Sequence, residues 1–201
     1  DAEIVQDAAL RASGLLSAKM GGPGVRPPQP VGVTEVAYGS PAWTASTGED
    51  RYRRGVYTFI KRTAPFAAFQ TFDAASPTAC TARRDVSNTP LQSLTLLNNI
   101  VYQEAAQNLG RMLAQRREPD AARIEYAVRR VLARRPSDAE RDDLAQFLAT
   151  QRKRLAAGEL NAVQIAGDDA KRVTPEKLAE RAAWTTLARA LLALDEAITR
   201  N

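Results

Sequence analysis

FDAASPTACTARRDVSNTPLQSLTLL, residues 72–97, contains the clearest helix start in this sequence. Thr89 can cap the helix, Pro90 suits its first position, and Gln92 lies where a capping box returns to the cap amide. The apolar residues that follow recur at helical spacing: Leu94, Leu97, Val101, Ala105, Leu109 and Met112. These signals predict a helix from residue 90, with a kink or a break at Asn98-Asn99. Residues 73–84, which precede it, have no comparable local explanation.

Most of the other segments are also predicted to be helical. Apolar residues share a helix face over 1–13, from Asp120 to before Pro136, and from Ser137 to Gly158. Ser137 and Glu140 form a second capping-box pattern. A last helix is expected to start at Thr174-Pro175 and to bury Trp184, Leu187, Leu191, Leu194 and Ile198. Residues 159–173 between these helices are predicted to be a polar connector.

The region between the first helix and residue 89 is predicted to be mostly irregular. Glycines and prolines in 20–50 exclude a continuous helix, and Trp43 and Tyr38 indicate that this loop covers the core. Residues 51–62 fit a helix or, better, a short extended segment. Pro65 starts a single turn whose aromatics, Phe66 and Phe69, are interpreted as core residues.

The predicted fold class is therefore mainly α. We expect an irregular helical domain with long Pro/Gly-rich loops, one short strand if 51–62 is extended, and C-terminal helices packed antiparallel. The chain reads as the C-terminal portion of a larger domain. Its parts are a helix plus a covering loop (1–50), an irregular motif core (51–89) and a helical part (90–201).

Composition excludes several kinds of chemistry. The 201 residues include no histidine, which excludes His-based acid–base catalysis, Ser-His-Asp and Cys-His pairs, and His zinc sites. One cysteine cannot form an internal disulfide, and no apolar run reaches the length of a membrane span. The net charge of +5 permits acidic partners, but without a recognised binding motif we expect no nucleic-acid binding. We also expect no metal site.

Charged residues cluster in the irregular centre and allow two interpretations. Converging cations would bind an anion through bidentate hydrogen bonds: Arg51, Arg53, Arg54, Lys61, Arg62, Arg83 and Arg84. The favoured alternative is internal pairing with Asp50, Asp73 and Asp85, which would fix the irregular backbone. The carboxylates, Glu49 included, could also act as an acid–base pair, but capping and pairing are more common. Cys80 is interpreted as a buried structural thiol, with a reactive or ligating thiol as the alternative.

Two stretches resemble a known family: GEDRYRRGVYTFIKRTAPF (48–66) and FDAASPTACTARRDVSNTPLQSLTLLNN (72–99). They are similar to a planctomycete-type family of unknown function. Departures are Gly55 and Ser93, where that family more often has Ser and Ala. The matching positions are Arg53, Arg54, Tyr57, Phe72, Asp73, Cys80, Arg83, Arg84, Asn88, Thr89, Pro90, Gln92 and Asn98.

The resemblance implies a context but supplies no reaction and no catalytic residue. That family forms the C-terminal domain of large exported proteins whose upstream parts resemble c-type cytochromes. It implies an exported parent, in the periplasm or at the cell surface, with haem c in an upstream domain and none in this chain. It also implies a partner protein or that upstream domain as the binding partner.

The leading functional hypothesis is a non-catalytic structural or protein-interaction module of such a cytochrome-associated protein. The rival is an enzyme or ligand-binding domain acting on an anionic or carbohydrate substrate through Asp73, Cys80, Arg83 and Arg84. The candidate binding residues under either hypothesis are Arg53, Arg54, Asp73, Cys80, Arg83, Arg84 and Asn88.

Overall fold

Helices form most of the backbone in the computed structural model, which describes residues 1–30, 32–33, 43–167 and 173–199. This confirms the mainly α prediction. The helices within these residues are α1 (Ala2–Ser13), α2 (Ala67–Thr71), α3 (Pro90–Asn98), α4 (Ile100–Gln115), α5 (Asp120–Leu132), α6 (Asp138–Ala156), α7 (Ala162–Ala166), α8 (Pro175–Leu192) and α9 (Asp195–Ile198). None of the described helices combines the length and apolar composition needed to cross a lipid bilayer.

The chain divides into two compact units. Unit 1 comprises Asp1–Arg11 and Leu15–Tyr102, and unit 2 comprises Ala12–Gly14 and Gln103–Asn201. The division falls inside α4. The division into units follows long-range packing.

Unit 1 is built on an aromatic core and irregular backbone. Phe66 stacks on Trp43 with ring centres 5.9 Å apart and meets the edge of Phe69 at 5.1 Å. The Trp43 ring nitrogen donates to the Pro27 carbonyl at 2.7 Å, so the covering-loop prediction is confirmed for Trp43. Tyr38 lies outside the described residues. In the segment 51–62, which was predicted to be extended, the described strand pairing is a single parallel bridge between Thr58 and Val25. Two 3₁₀ turns, Gly48–Tyr52 and Gly55–Tyr57, precede Thr58 in the chain.

α3 begins with the predicted capping box, but its apolar residues are not all buried as predicted. Thr89 and Gln92 form the reciprocal capping box, and the helix ends at Asn98 before α4 begins. Leu96 is buried, but Leu94 is 54% exposed, although it was expected on the inner face. The apolar positions of α4 were predicted as a continuation of α3. The break at Asn99 resets the helical phase, so Val101, Ala105 and Leu109 are buried and Leu94 is not.

Unit 2 is organised around α8, which is buried on most of its circumference. Trp184 and Leu187 are fully buried, and three alanines (Ala182, Ala183 and Ala188) are buried beside them. The helix packs against α5, α6 and α7. Small side chains let neighbouring helices approach α8 from several directions. α5 and α6, which a five-residue link joins, also pack against each other, as expected for an antiparallel pair.

Two features of unit 2 were not predicted. The polar connector contains the short helix α7, which Asn161 caps by accepting a hydrogen bond from the Gln164 amide at 3.0 Å. The last helix stops at Leu192, and Leu194 is 43% exposed instead of inward-facing. From the spacing of apolar residues, α8 and α9 had been predicted as one continuous helix. The turn at 193–194 breaks that register.

Charged side chains connect α5, α6 and α8 in unit 2. Arg152 hydrogen-bonds both Asp120 and Glu180, and Arg123 pairs with the same two carboxylates. The Trp184 ring nitrogen donates to Glu180 at 2.7 Å. The hydrogen bond from Arg152 lowers the pKa of Asp120 against an opposing effect of burial. Burial raises the pKa of Glu180, but hydrogen bonds from Arg152 and Trp184 outweigh it, so the pKa is lowered.

A close approach of α4 to α8 in unit 2 predicts that no side chain is tolerated at Gly110. A Cβ there would lie 2.5 Å from Thr185 Cα and 2.6 Å from Thr185 N, both backbone atoms that cannot move aside alone. We expect Gly110→Ala to lower the free energy of unfolding by roughly 1–3 kcal/mol, the range for overpacking, measured by urea unfolding. Gly24→Ala is the matched control, since its nearest neighbour would be 3.5 Å away. Equal stabilities of the two variants would contradict the prediction.

The lowered pKa values of Asp120 and Glu180 predict acid sensitivity of unit 2. Groups with depressed folded-state pKa values add stability that is present above their unfolded values, about 3.9 and 4.3, and is lost as pH falls below them. Urea unfolding followed by Trp184 fluorescence in a Trp43→Phe background should show this loss. We expect Arg152→Met to have a lower free energy of unfolding at neutral pH. We also expect that free energy to fall less steeply as the pH is lowered. Arg154→Met, outside this network, should keep the wild-type acid dependence, and an unchanged dependence in Arg152→Met would refute the assignment.

Candidate functional site

Arg53 is a buried cation held by backbone carbonyls. Only 1% of its surface is exposed. Its guanidinium donates to the carbonyl oxygens of Lys19, Gly21 and Pro23 at 3.3, 2.5 and 3.3 Å, and it lies 3.8 Å from the centre of the Tyr57 ring. Burying a charge is costly unless acceptors replace water, and the ring face adds attraction. Arg53 therefore fixes the glycine-rich loop and is not open to a ligand.

The glycine-rich loop has the backbone that this arrangement requires. Gly21 and Gly22 have φ angles of +69° and +89°, a region that glycine enters without steric cost. With this conformation the carbonyls of alternate residues, Lys19, Gly21 and Pro23, accept hydrogen bonds from Arg53. The Gly21 amide donates to the Tyr57 hydroxyl at 2.8 Å, so the same aromatic side chain contacts both the cation and the loop. The Gly-Gly-Pro sequence is thus explained by a contact with the arginine motif.

Arg54 and Gly55 are tied to α1 by Asp7. The Asp7 carboxylate accepts a hydrogen bond from the Gly55 amide at 2.6 Å and one from Arg54 Nε at 3.3 Å. A Cβ at Gly55 would lie 2.8 Å from the Glu3 Cα. Glycine at this position therefore permits the close approach of the motif to α1.

Arg84 forms the second ion pair with α1. Its two terminal nitrogens donate to the two oxygens of Glu3 at 2.6 and 3.2 Å, a bidentate pair, and Asp1 Oδ1 lies 3.5 Å away. Burial raises the pKa of Glu3, but the hydrogen bond and charge of Arg84 outweigh it, so this pKa is lowered. The hydrogen bond to Glu3 raises the pKa of Arg84. Two parallel hydrogen bonds fix both orientation and distance.

Asp73 extends the capping box of α3. Its Oδ2 accepts from the Ser87 amide at 2.8 Å, from the Ser87 hydroxyl at 2.7 Å and from Gln92 Nε2 at 3.5 Å. Gln92 in turn accepts from the Thr89 amide at 3.1 Å. Asp73 has a left-handed φ of +56°, which short polar side chains tolerate. The carboxylate therefore closes the loop 74–86 onto the start of α3.

The remaining predicted binding residues lie on the exposed loop. Cys80, Arg83 and Asn88 are all exposed. The interpretation of Cys80 as a buried thiol is wrong, because the loop that carries it packs through Asp73 and Arg84 and leaves its tip in solvent. Among the described residues, no group of three or more Cys, Asp or Glu side chains could hold a metal ion.

Unit 1 also has an open groove between α2 and α3. Its volume is about 260 Å³, and none of the seven predicted binding residues lines it. The groove is lined by Pro30, Ala67, Ala68, Thr71, Leu91, Leu94, Thr95, Asn98 and Asn99.

Comparison with known proteins identifies a family. Residues 1–148 match the model of the family PSD1, which is described as "Protein of unknown function (DUF1553)". The match covers more than half of the 201 residues. The chain belongs to the DUF1553 family. No curated protein and no solved structure matches it.

The acidic partners of the DUF1553 arginines were not found from sequence. Nearby aspartates were expected to pair with them, yet Asp50 contacts Lys19 and Asp73 contacts Ser87. The partners are Glu3 and Asp7 on α1, which lie 81 residues before Arg84 and 47 residues before Arg54. A signal was available: Glu3 and Asp7 are four residues apart, which places both on one helix face. Choosing that face over nearer acids required the tertiary structure.

The hydrogen-bonded motif residues of this DUF1553 chain do not share their partners. Arg53, Arg54, Asp73 and Arg84 each contact a different set of partners within unit 1. General acid–base chemistry requires groups within hydrogen-bond reach of one reacting atom. Together the contacts join α1, the glycine-rich loop, the 3₁₀ turns and the start of α3.

The buried state of Arg53 predicts a large effect of its removal on unit 1. Arg53→Met keeps side-chain length but leaves three carbonyls without this donor. We expect a loss of roughly 1.5–3 kcal/mol of unfolding free energy, the range for hydrogen bonds to charged groups. Trp43 fluorescence during urea unfolding, in a Trp184→Phe background, measures unit 1 separately. Arg83→Met, which changes an exposed arginine, is the control. If Arg83→Met lowered the unfolding free energy as much as Arg53→Met, the structural assignment would be wrong.

Proposed function

We propose that this chain is a non-catalytic structural or protein-interaction module of an exported protein that also contains cytochrome-c-like domains. The observation that carries the proposal is the use of the motif side chains in unit 1. Arg53 binds backbone carbonyls, Arg84 binds Glu3, and Asp73 binds Ser87. Side chains engaged in internal contacts stabilise a shape. A substrate would have to displace them.

The distribution of exposed apolar side chains supports a role in protein contact. Large apolar side chains are exposed at eleven of the described positions, and nine belong to unit 1. Exposed apolar residues are common singly, but their concentration in one unit is typical of interaction surfaces. The nine are Ile4, Met20, Val56, Phe59, Ile60, Val86, Leu91, Leu94 and Ile100.

The α2–α3 groove is the part of unit 1 that best suits a protein partner. Leu91 and Leu94 are 59% and 54% exposed and line the groove, so a partner would bury them there. Burying a leucine side chain contributes roughly 1.5–3 kcal/mol. The occupant that we propose is the cytochrome-c-like part of the same exported protein, to which the motif resemblance points.

The cellular context forms part of the same proposal. The parent protein is exported, in the periplasm or at the cell surface, and is of the planctomycete type that the motifs resemble. Haem c belongs to an upstream domain, while this chain binds none. Nucleic acid is not a partner, since many arginines pair with carboxylates within the chain, as Arg84, Arg123, Arg134 and Arg152 do.

Hydroxyl-radical footprinting tests the interaction surface. We expect Leu91 and Leu94 to be oxidised several-fold more slowly in the intact parent protein than in the 201-residue chain alone, because a partner surface excludes solvent. Leu194, 43% exposed in unit 2, is the matched control and should react equally in both. Equal reactivity of Leu91 and Leu94 in the two samples would overturn the proposed surface.

A haem measurement tests the context. The purified chain should lack a Soret band, whereas the intact parent protein should stain for covalent haem. A Soret band in the chain alone would assign haem binding to this module. A parent protein without haem would refute the cytochrome association.

A further inference from the structure

The groove between α2 and α3 exposes a second face of α3. The buried face of this helix contains Gln92 and Leu96, which lie four residues apart. The groove-lining positions lie at i, i+3, i+4 and i+7, the spacing with which one helix packs along another. The residues of this second face are Leu91, Leu94, Thr95 and Asn98. The second face therefore has the pattern of a packed surface, although Leu91 and Leu94 are 59% and 54% exposed.

α2 supplies the opposite wall of the groove with short side chains. Ala67 and Ala68 line the groove together with Thr71, which lies one turn further along α2. α2 and α3 pack against each other, so the two walls have a fixed spacing. The short side chains leave a space of about 260 Å³ that larger side chains of a partner can fill.

The polar side chains of the lining are already bonded within unit 1. The hydroxyls of Thr71 and Thr95 each donate to the carbonyl four residues earlier in the same helix, at 3.2 and 2.8 Å. The Asn98 amide does the same at 2.9 Å, and the Asn99 side chain accepts from the Val101 amide at 2.9 Å. The groove therefore presents mainly apolar surface to a partner.

The walls of the groove favour an occupant that satisfies its own backbone hydrogen bonds. An extended segment binds best at a sheet edge, whose main chain supplies hydrogen-bond partners, whereas these walls are two helices. Burying backbone amides and carbonyls without partners is costly. An α-helix pairs these groups internally. A helix therefore suits the groove better than a strand does.

The lining also determines the charge of the occupant's contact face. Among the described residues that line the groove, none is charged. A charged side chain placed there would lose its water without gaining an opposite charge, which is costly. The contact face of the occupant is therefore apolar and uncharged.

We infer that an amphipathic helix of the parent protein occupies this groove and packs its apolar face on the second face of α3 and the two alanines of α2. The inference rests on the proposed function, which places another domain of the same protein on the groove. It adds the type of element and the chemistry of its contact face. The apolar residues of that helix recur three and four positions apart, and its charged residues lie on the opposite face.

Photo-cross-linking in the intact parent protein tests the inference. Leu91, Leu94 and Asn98 are replaced in turn by benzoylphenylalanine, which bonds to a nearby C–H group on illumination, and mass spectrometry identifies the residues reached. We expect all three probes to reach one segment outside the 201-residue chain, at residues three, four or seven apart. Benzoylphenylalanine at Ser93, an exposed position of α3 outside the groove, is the matched control and should give about tenfold less product.

The outcomes of cross-linking separate the helix from the proposed surface. Cross-linked residues two apart would indicate a strand, and cross-links spread over several segments would indicate no single element. Either result overturns this inference and leaves the surface proposed for unit 1 in place. Cross-links that remain within the 201-residue chain, join two copies of the parent protein or do not form would overturn both proposals.

Salt dependence tests the uncharged contact face. In the intact parent protein, we expect the protection of Leu91 and Leu94 from hydroxyl radicals to change less than about twofold between about 0.1 and 1 M salt, because salt screens charged contacts. Loss of this protection at high salt would show that ion pairs hold the partner and would overturn the uncharged face.

A charge placed on the second face tests its burial. Leu94→Asp should return the oxidation rate of Leu91 in the intact parent protein to that of the 201-residue chain alone, because the aspartate would be buried without a partner. Ser93→Asp, outside the groove, should leave Leu91 protected. Both positions are exposed, so both variants should fold. Equal protection of Leu91 in the two variants would contradict the packing of a helix on this face.

Discussion

The burial of one guanidinium constrains the whole of unit 1. Arg53 is enclosed without a carboxylate, so backbone carbonyls and an aromatic face must stabilise its charge. This requirement sets the path of the glycine-rich loop, which in turn positions Val25 for its bridge to Thr58. It also explains how a segment with so little regular structure can be ordered. Charge-assisted hydrogen bonds replace the ladder that a sheet would provide.

The parts of the fold that depend on neighbouring residues could be predicted from sequence. Both capping boxes, at Thr89 and Ser137, are decided within four residues and formed as expected. Features set by distant contacts could not be predicted in this way. The pairing of Arg84 with Glu3 spans 81 positions, and the exposure of Leu94 depends on where α4 restarts. The same holds for the motif residues, because the partners of Arg54 and Arg84 lie on α1, far away in the sequence.

Both units use paired polar side chains to fix their structure. In unit 1, Arg53, Arg54, Arg84 and Asp73 each form hydrogen bonds with protein groups. In unit 2, Arg123 and Arg152 pair with Asp120 and Glu180 and so connect α5, α6 and α8. Polar groups whose partners lie in the same folded chain help to specify one structure.

The family match ends at residue 148, inside α6, where Leu148 is only 1% exposed. The rest of α6 and all of α8 lie beyond that limit, yet they pack against each other and bury Trp184. The segment that the family model covers thus ends within the packed helices of unit 2. A chain cut at residue 148 would therefore leave α5 without much of the packing that α6 and α8 provide.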